Sequence, residues 1–186
     1  MKIATVTLES VSPYSASRRL QTPKGDKEEY WDYEGRVWKE RAHWTEDDHV
    51  FIPPMCFKRS LEAAAKRRRK RITGKGQSEY GKHFEAGVLV LEGLILPITK
   101  ETLEYEDLYL SGCGRKGGMD VRKREPLVPS WKGEVTYHIL DDIIPKDEFE
   151  TCLVEAGNLI GIGRFRPEKA GYYGRYRIVK VQWTTK

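Results

Sequence analysis

Cysteine is scarce in this chain. Cys56, Cys113 and Cys152 are the three present in 186 residues, and no two stand close enough to share a motif. An odd count without paired spacing excludes a disulfide framework and a cysteine zinc site, and it fits a reducing cytoplasm. No apolar run approaches the roughly 18 residues that a membrane-spanning helix needs, so no membrane partner is expected. Met1 leads straight into an alternating pattern, and no secretory leader is read. Histidine is sparse too. His43 and His49 lie near Glu46, Asp47 and Asp48, but those acids form one loop-like run with no second element to complete a ligand set. Neither a metal nor another cofactor is expected. The segment Thr73-Gly74-Lys75-Gly76-Gln77-Ser78 lacks the spacing of a nucleotide phosphate loop, which removes that ground for ATP binding.

Charge, by contrast, is plentiful. Lys and Arg number 33 against 28 Asp and Glu, and the net +5 is too mild to indicate a polyanion partner by itself. Its distribution says more. Acids gather at 26–34, 46–48, 101–107 and 141–155; bases gather at 66–71, 122–124 and 164–177. Separated blocks of opposite sign predict one basic face and one acidic face.

Residues 2–11 alternate as a strand. Ser12-Pro13-Tyr14-Ser15 ends that strand, and residues 16–48 have no clean period and read as an irregular or partly helical insertion, with Tyr30, Trp31, Tyr33, Trp38 and Trp44 anchoring it to the body. Residues 49–52 form a short strand, and Pro53-Pro54 sets up a helix whose apolar positions Phe57, Leu61, Ala64 and Ala65 make one stripe. Residues 87–97 are apolar on both parities, which predicts a buried central strand or a bent pair. Residues 99–107 read as acidic surface, and 108–129 as a mobile basic hairpin or loop. A strand over 134–140 with His138 packed, a helix over 145–156 stopped by Gly157, and a last strand over 175–182 complete the chain. The order strand, helix, strand, strand, helix, strand predicts one α+β domain over 1–186. It is a ferredoxin-like (RRM-like) βαββαβ core with insertions at about 13–48 and 99–130.

Chemistry concentrates in residues 155–183. Gly157, Gly161, Gly163, Gly171 and Gly174 are interleaved with Arg164, Arg166, Arg175 and Arg177 and with Phe165, Tyr172, Tyr173 and Tyr176. Glycines let backbone N–H groups approach an anion, arginines neutralise phosphates, and aromatic faces stack on bases. The helix after Pro54 runs into Lys66-Arg67-Arg68-Arg69-Lys70-Arg71. Cations complement a helix C-terminus by about 0.3–1 kcal/mol each, but that benefit does not require an unbroken run. The candidate nucleic-acid-binding residues are Lys58, Lys66, Arg67, Arg68, Arg69, Lys70, Arg71, Lys75, Arg122, Lys123, Arg124, Arg164, Phe165, Arg166, Tyr172, Tyr173 and Arg175. The helix tail and the arginine-rich turn are expected to share one surface, with the tyrosines presented to solvent.

Two segments carry a family resemblance. Val50-Phe51-Ile52-Pro53-Pro54 followed at once by Met55-Cys56-Phe57-Lys58-Arg59-Ser60-Leu61 resembles the strand-to-helix segment of the RAMP superfamily, which includes the Cas7-like backbone proteins of CRISPR effector complexes. The glycine-rich Ala156-Gly157-Asn158-Leu159-Ile160-Gly161-Ile162-Gly163-Arg164-Phe165 before the last strand resembles theirs as well. Pro54 stands where that pattern has glycine, and Met55-Cys56 where it has serines. The resemblance implies a ferredoxin-like body, a basic face for single-stranded RNA, and a homo-oligomer or filament, with a CRISPR effector or host protein as a further partner. The chain also resembles small bacteriophage and prophage proteins in Ser12-Pro13-Tyr14-Ser15 and Gly161-Ile162-Gly163-Arg164-Phe165-Arg166-Pro167, which implies the host cytoplasm. The RRM fits worse, because Gly171-Tyr172-Tyr173-Gly174-Arg175-Tyr176 precedes the last strand rather than occupying the third.

The primary expectation is a non-catalytic protein that binds single-stranded RNA or DNA. Two alternatives stay open. Cas6-type RAMP relatives cleave RNA without metal, using a histidine base helped by tyrosine or lysine, and the resemblance makes His83, with Tyr80 and Lys82, the candidate for that chemistry. The other alternative is a phage anti-CRISPR or similar interaction protein that mimics a Cas7-like subunit. Cys56 has no evident base partner to make it a nucleophile.

Overall fold

Alternation along the first strand sets the architecture. In the computed structural model, which describes residues 1–110 and 121–185, β1 (Lys2–Ser10) buries Ala4, Val6 and Leu8 on one side. β1 pairs antiparallel with β7 (Lys132–Ile139) on one edge and β8 (Tyr176–Thr185) on the other, and β3 (Val88–Val90) adds antiparallel to β7. The strand order is β3-β7-β1-β8. α2 (Pro54–Arg68), α3 (Tyr80–Gly87) and α4 (Lys146–Glu155) contribute Phe57, Leu61, Phe84, Phe149 and Leu153 to the same core cluster as Ala4, Val6, Val135 and Tyr137. Tyr137 meets Phe149 edge-on at 5.4 Å. Each such side chain taken from water contributes about 1.5–3 kcal/mol. The fold is α+β.

α2 forms where the sequence places it. Pro54 suits its first turn, Phe57, Leu61, Ala64 and Ala65 are buried, and Arg69 ends it in the left-handed region at φ 49. α3 went unread: its eight residues include two glycines, which weakens any local helix signal, and the burial of Tyr80 and Phe84 supplies what propensity lacks.

The 87–97 run is a bent pair and not a central strand. β3 is the sheet's edge, while β4 (Leu94–Thr99) turns away to pair with β2 (His49–Ile52) in a separate two-stranded sheet. Serving two sheets explains the apolar residues on both parities, and Leu89, Leu91 and Ile95 are exposed. Gly157 does not stop α4. Ala156–Ile160 continues as a π-helical turn, and Gly161 at φ 73 ends it. Gly157 is glycine for contact: a Cβ there would fall 2.1 Å from the Tyr176 carbonyl oxygen. His138 is half-buried on the open face of the sheet, opposite Ile3 and Leu89.

The insertions pack on each other. The first holds α1 (Tyr30–Val37) and a 3-10 turn, Trp38–Arg41; the second holds an antiparallel hairpin of β5 (Glu104–Leu110) and β6 (Val121–Leu127). The legs of the expected basic loop are therefore strands, while its turn and Cys113 lie outside the described residues. A buried group of charges joins these pieces to the glycine-rich turn. Arg41 donates to both oxygens of Glu34 at 2.8 Å, its Nε lies 3.5 Å from Glu125, and Glu125 also pairs with Arg164. Buried charges are tolerated here because each has an opposite neighbour. On the outer edge, β8 carries a bulge and the exposed cations Arg177 and Lys180, features that discourage edge-to-edge pairing. Among the described residues, no helix is long and apolar enough to cross a membrane.

Candidate nucleic-acid interface

Helical spacing puts Met55, Cys56, Arg59, Ala63 and Lys66 on a face of α2 beside its buried stripe. That face forms one wall of an open cleft of about 450 Å³. The facing wall is the glycine-rich turn, through Ile160, Gly161, Ile162, Gly163, Arg166 and Glu168, and Ser17 closes one end.

The turn is built on glycine. Gly163 and Gly174 have φ of 76° and 75°, and a Cβ would sit 2.4 Å from the Ser15 carbonyl oxygen at Gly163 and 1.8 Å from that of Ile162 at Gly174. Its backbone N–H groups bond within the protein: Arg164 to the Ser15 carbonyl at 2.8 Å, Gly174 to Pro13 at 2.7 Å and Ile162 to Gly174 at 3.0 Å. For these three amides this corrects the expectation that they face an anion, while the Gly163 N–H bonds the Cys56 sulfur lining the cleft. The turn serves as a rigid wall, and its positive charge comes from side chains.

Arg59 is exposed and has no carboxylate partner among the described residues. Arg166 is held by Glu168 at 2.7 Å, and Lys66 forms an exposed pair with Glu85 at 3.0 Å. Surface pairs of this kind contribute little and can exchange for a phosphate. Cys56 lies in the cleft, where burial pushes its thiol up despite nearby Arg166 and Arg59, as suits an unreactive sulfur.

The cationic tail splits. Arg68 turns to Glu148, at 3.2 Å, and to Glu155, while Lys70 bonds Glu148 at 2.5 Å. Basic and acidic blocks thus neutralise one another here instead of forming separate faces. Arg67, Arg69 and Arg71 remain exposed without acidic partners among the described residues, and exposed Lys75 acts electrostatically on Asp141. Lys58 bonds Glu62 at 2.5 Å and the Glu85 carbonyl at 2.8 Å, a structural arrangement.

Strand alternation divides the hairpin bases. Arg122 and Arg124 lie on the side that faces Trp31 of α1, and both bond Asp107 of the paired strand β5, at 2.8 and 3.0 Å. Lys123 belongs to the face that carries Glu125, the partner of Arg164; burial, then the nearby charges of Arg164 and Arg41, lower its pKa. Among the expected stacking rings, Tyr172 is 65% exposed. Phe165 and Tyr173 are half-buried and meet edge-on at 6.3 Å. The Tyr173 hydroxyl bonds Glu106, and burial raises its pKa to about 12. Tyr176 is in the core, its hydroxyl 3.2 Å from Ser60 Oγ. Arg175 braces the turn by donating to the Asn158 and Tyr172 carbonyls at 3.3 and 3.2 Å. The open sheet face displays no Phe, Tyr or Trp among the described residues: its rows read Lys132–Glu9–Arg177, Glu134–Thr7–Lys180, Thr136–Thr5–Gln182 and Leu89–His138–Ile3–Thr184.

His83 Nδ1 lies 2.7 Å from Asp141 Oδ2, and the other Asp141 oxygen accepts the Ile143 N–H at 2.9 Å. Tyr80 is buried, whereas Lys82 is exposed and lines a second hollow of about 360 Å³ with Lys66, Gln77 and Ser78. Arg59 was missed in the sequence, although its place one heptad before Lys66 was the available signal. Asp141 was missed as the partner of His83 because 58 positions separate them. Among the described residues, no group of three His, Cys, Asp or Glu side chains is placed to hold a metal.

No family model matches the chain, and no curated protein matches it. Among solved structures, the chain is similar to a Cas6 product complex at 15% identity and a TM-score of 0.37. The match covers 94% of this chain and 50% of that one, so the chain spans about half the length of this structural relative.

Proposed function

We propose that this protein binds single-stranded nucleic acid without cleaving it, on a ferredoxin-like βαββαβ core of the RAMP type. The order β3-β7-β1-β8, with helices between the first and second and between the third and fourth of these strands in chain order, supports that core. The observation that carries the binding reading is the convergence of Arg59, Lys66 and Arg166 on one open cleft. Arg67, Arg69, Arg71 and Lys75 extend positive charge past Lys66.

Contacts to phosphates release counterions, so affinity should fall with salt by a slope of about −0.7 per phosphate. The test is fluorescence anisotropy with labelled 20-nucleotide RNA and DNA strands across a salt series. Arg59→Ala and Arg166→Ala should weaken binding and flatten the slope. Absence of binding to either strand at low salt would refute the reading.

The His83–Asp141 pair supports a second reading, metal-independent RNA cleavage. The aspartate fixes one ring nitrogen and leaves Nε2 to act as a base. RNA left intact by the wild-type protein in the presence of a chelator would dismiss it.

A further inference from the structure

Away from the cleft, rings and guanidinium groups alternate along the α1-facing side of the β5–β6 hairpin. Trp38 and Tyr105 have centroids 5.1 Å apart. The Arg124 guanidinium lies 4.1 Å from the Tyr105 ring and 4.7 Å from that of Trp31; that of Arg122 lies 3.6 Å from Trp31 and 5.4 Å from Tyr109. Asp107 pairs with both arginines, which leaves the trio one positive charge. Exposure varies along the ladder: Tyr105 is about half exposed and Trp31 is half-buried. Trp38 at its inner end is 6% exposed and Tyr109 at its outer end 70%.

Anchoring of the first insertion accounts for Trp38, Tyr105 and Trp31. It does not account for Tyr109, which leaves most of its ring in water. We propose that Tyr109 is a stacking site for a nucleobase of the bound strand, a claim that rests on the nucleic-acid reading above. A base laid on the open ring extends the same alternation of flat groups by one step. Arg122 is already held by Asp107 and Trp31, so the rung beneath Tyr109 needs little ordering when the base arrives.

The test compares wild type, Tyr109→Ala and Tyr109→Phe for binding to a labelled 20-nucleotide adenine RNA, with inorganic polyphosphate, which has no bases, as competitor. Stacking on one aromatic side chain is lost on truncation at a cost of roughly 5- to 150-fold in affinity. Tyr109→Ala should show a loss in that range for RNA with unchanged polyphosphate competition, and Tyr109→Phe should bind like wild type, since the ring does the stacking. Arg59→Ala should weaken both ligands. If wild type does not bind the RNA, the nucleic-acid reading falls and this site with it. If wild type binds and Tyr109→Ala binds equally well, or loses polyphosphate in proportion, the stacking site alone is overturned.

Discussion

Replacing Glu125 with glutamine removes a carboxylate that two guanidinium groups share. Glu125 is 1% exposed, lies 3.5 Å from Arg41 Nε and pairs with Arg164. Arg41 keeps both oxygens of Glu34, at 2.8 Å, and its bond to the Arg124 carbonyl at 2.9 Å. Arg164 loses its only carboxylate partner among the described residues. Among Glu34, Glu125, Arg41 and Arg164, two negative and two positive groups become one and two, with the Lys123 charge nearby. Breaking a buried pair from one side costs about 3–5 kcal/mol. The Arg164 side chain is 25% exposed and can recover some hydration, which favours the low end, about 3 kcal/mol. For a chain of this size that lowers Tm by about 6–12 °C. Urea unfolding followed by tryptophan fluorescence, together with calorimetry, measures both quantities. Adding Arg164→Gln restores the balance of charge, so the double variant should recover part of the loss. A drop below about 1 kcal/mol, or a double variant as unstable as the sum of the singles, would refute the reasoning.

Other outcomes follow from the same geometry. Gly174→Ala places a Cβ against the Ile162 carbonyl in a left-handed backbone and should destabilise by about 1–3 kcal/mol; an unchanged urea midpoint would contradict the turn's geometry. Asp107 is held below the ordinary carboxylate range by its bond to Arg124 and then by Arg122; at Glu34 burial pushes the carboxyl up, and Arg41, the Arg124 N–H and Tyr30 together pull it below its ordinary value. Depressed folded values mean that their contribution is fully present above the unfolded pKa of about 4 and is lost as pH falls through the folded values. The carboxylate contribution to the urea midpoint should therefore hold from neutral pH to about 5 and then decline, while His43, whose pKa burial lowers, adds an earlier loss below about pH 6.5; a midpoint rising on acidification would reverse the sign. Arg59→Ala, at an exposed site, should leave Tm within about 1 °C while reducing the salt slope of RNA binding by about 0.7.

Local pattern carried much of this fold. The alternation of β1, the stripe of α2 and the closing strand β8 are each visible within a ten- to fifteen-residue span. Partners distant in the chain were not visible. The bases at 66–71 and the acids at 141–155 read as two faces, yet Arg68 and Lys70 meet Glu148 and Glu155, because α2 and α4 pack side by side. Arg122, Lys123 and Arg124 read as one patch, although strand alternation sends the two arginines to Asp107 and Trp31 and the lysine to the opposite side. The glycine-rich turn stood out by composition, but only the tertiary contacts with Pro13 and Ser15 reveal where its amides point.

Those contacts have a kinetic meaning. A wall stitched to Pro13 and Ser15 has its width set before any ligand arrives, so little order remains to be imposed on capture. On the proposed reading, encounter with a strand is governed by the long-range pull of the cations, so removing Arg59 should slow landing, while uncharged substitutions in the wall should alter chiefly how long the strand stays.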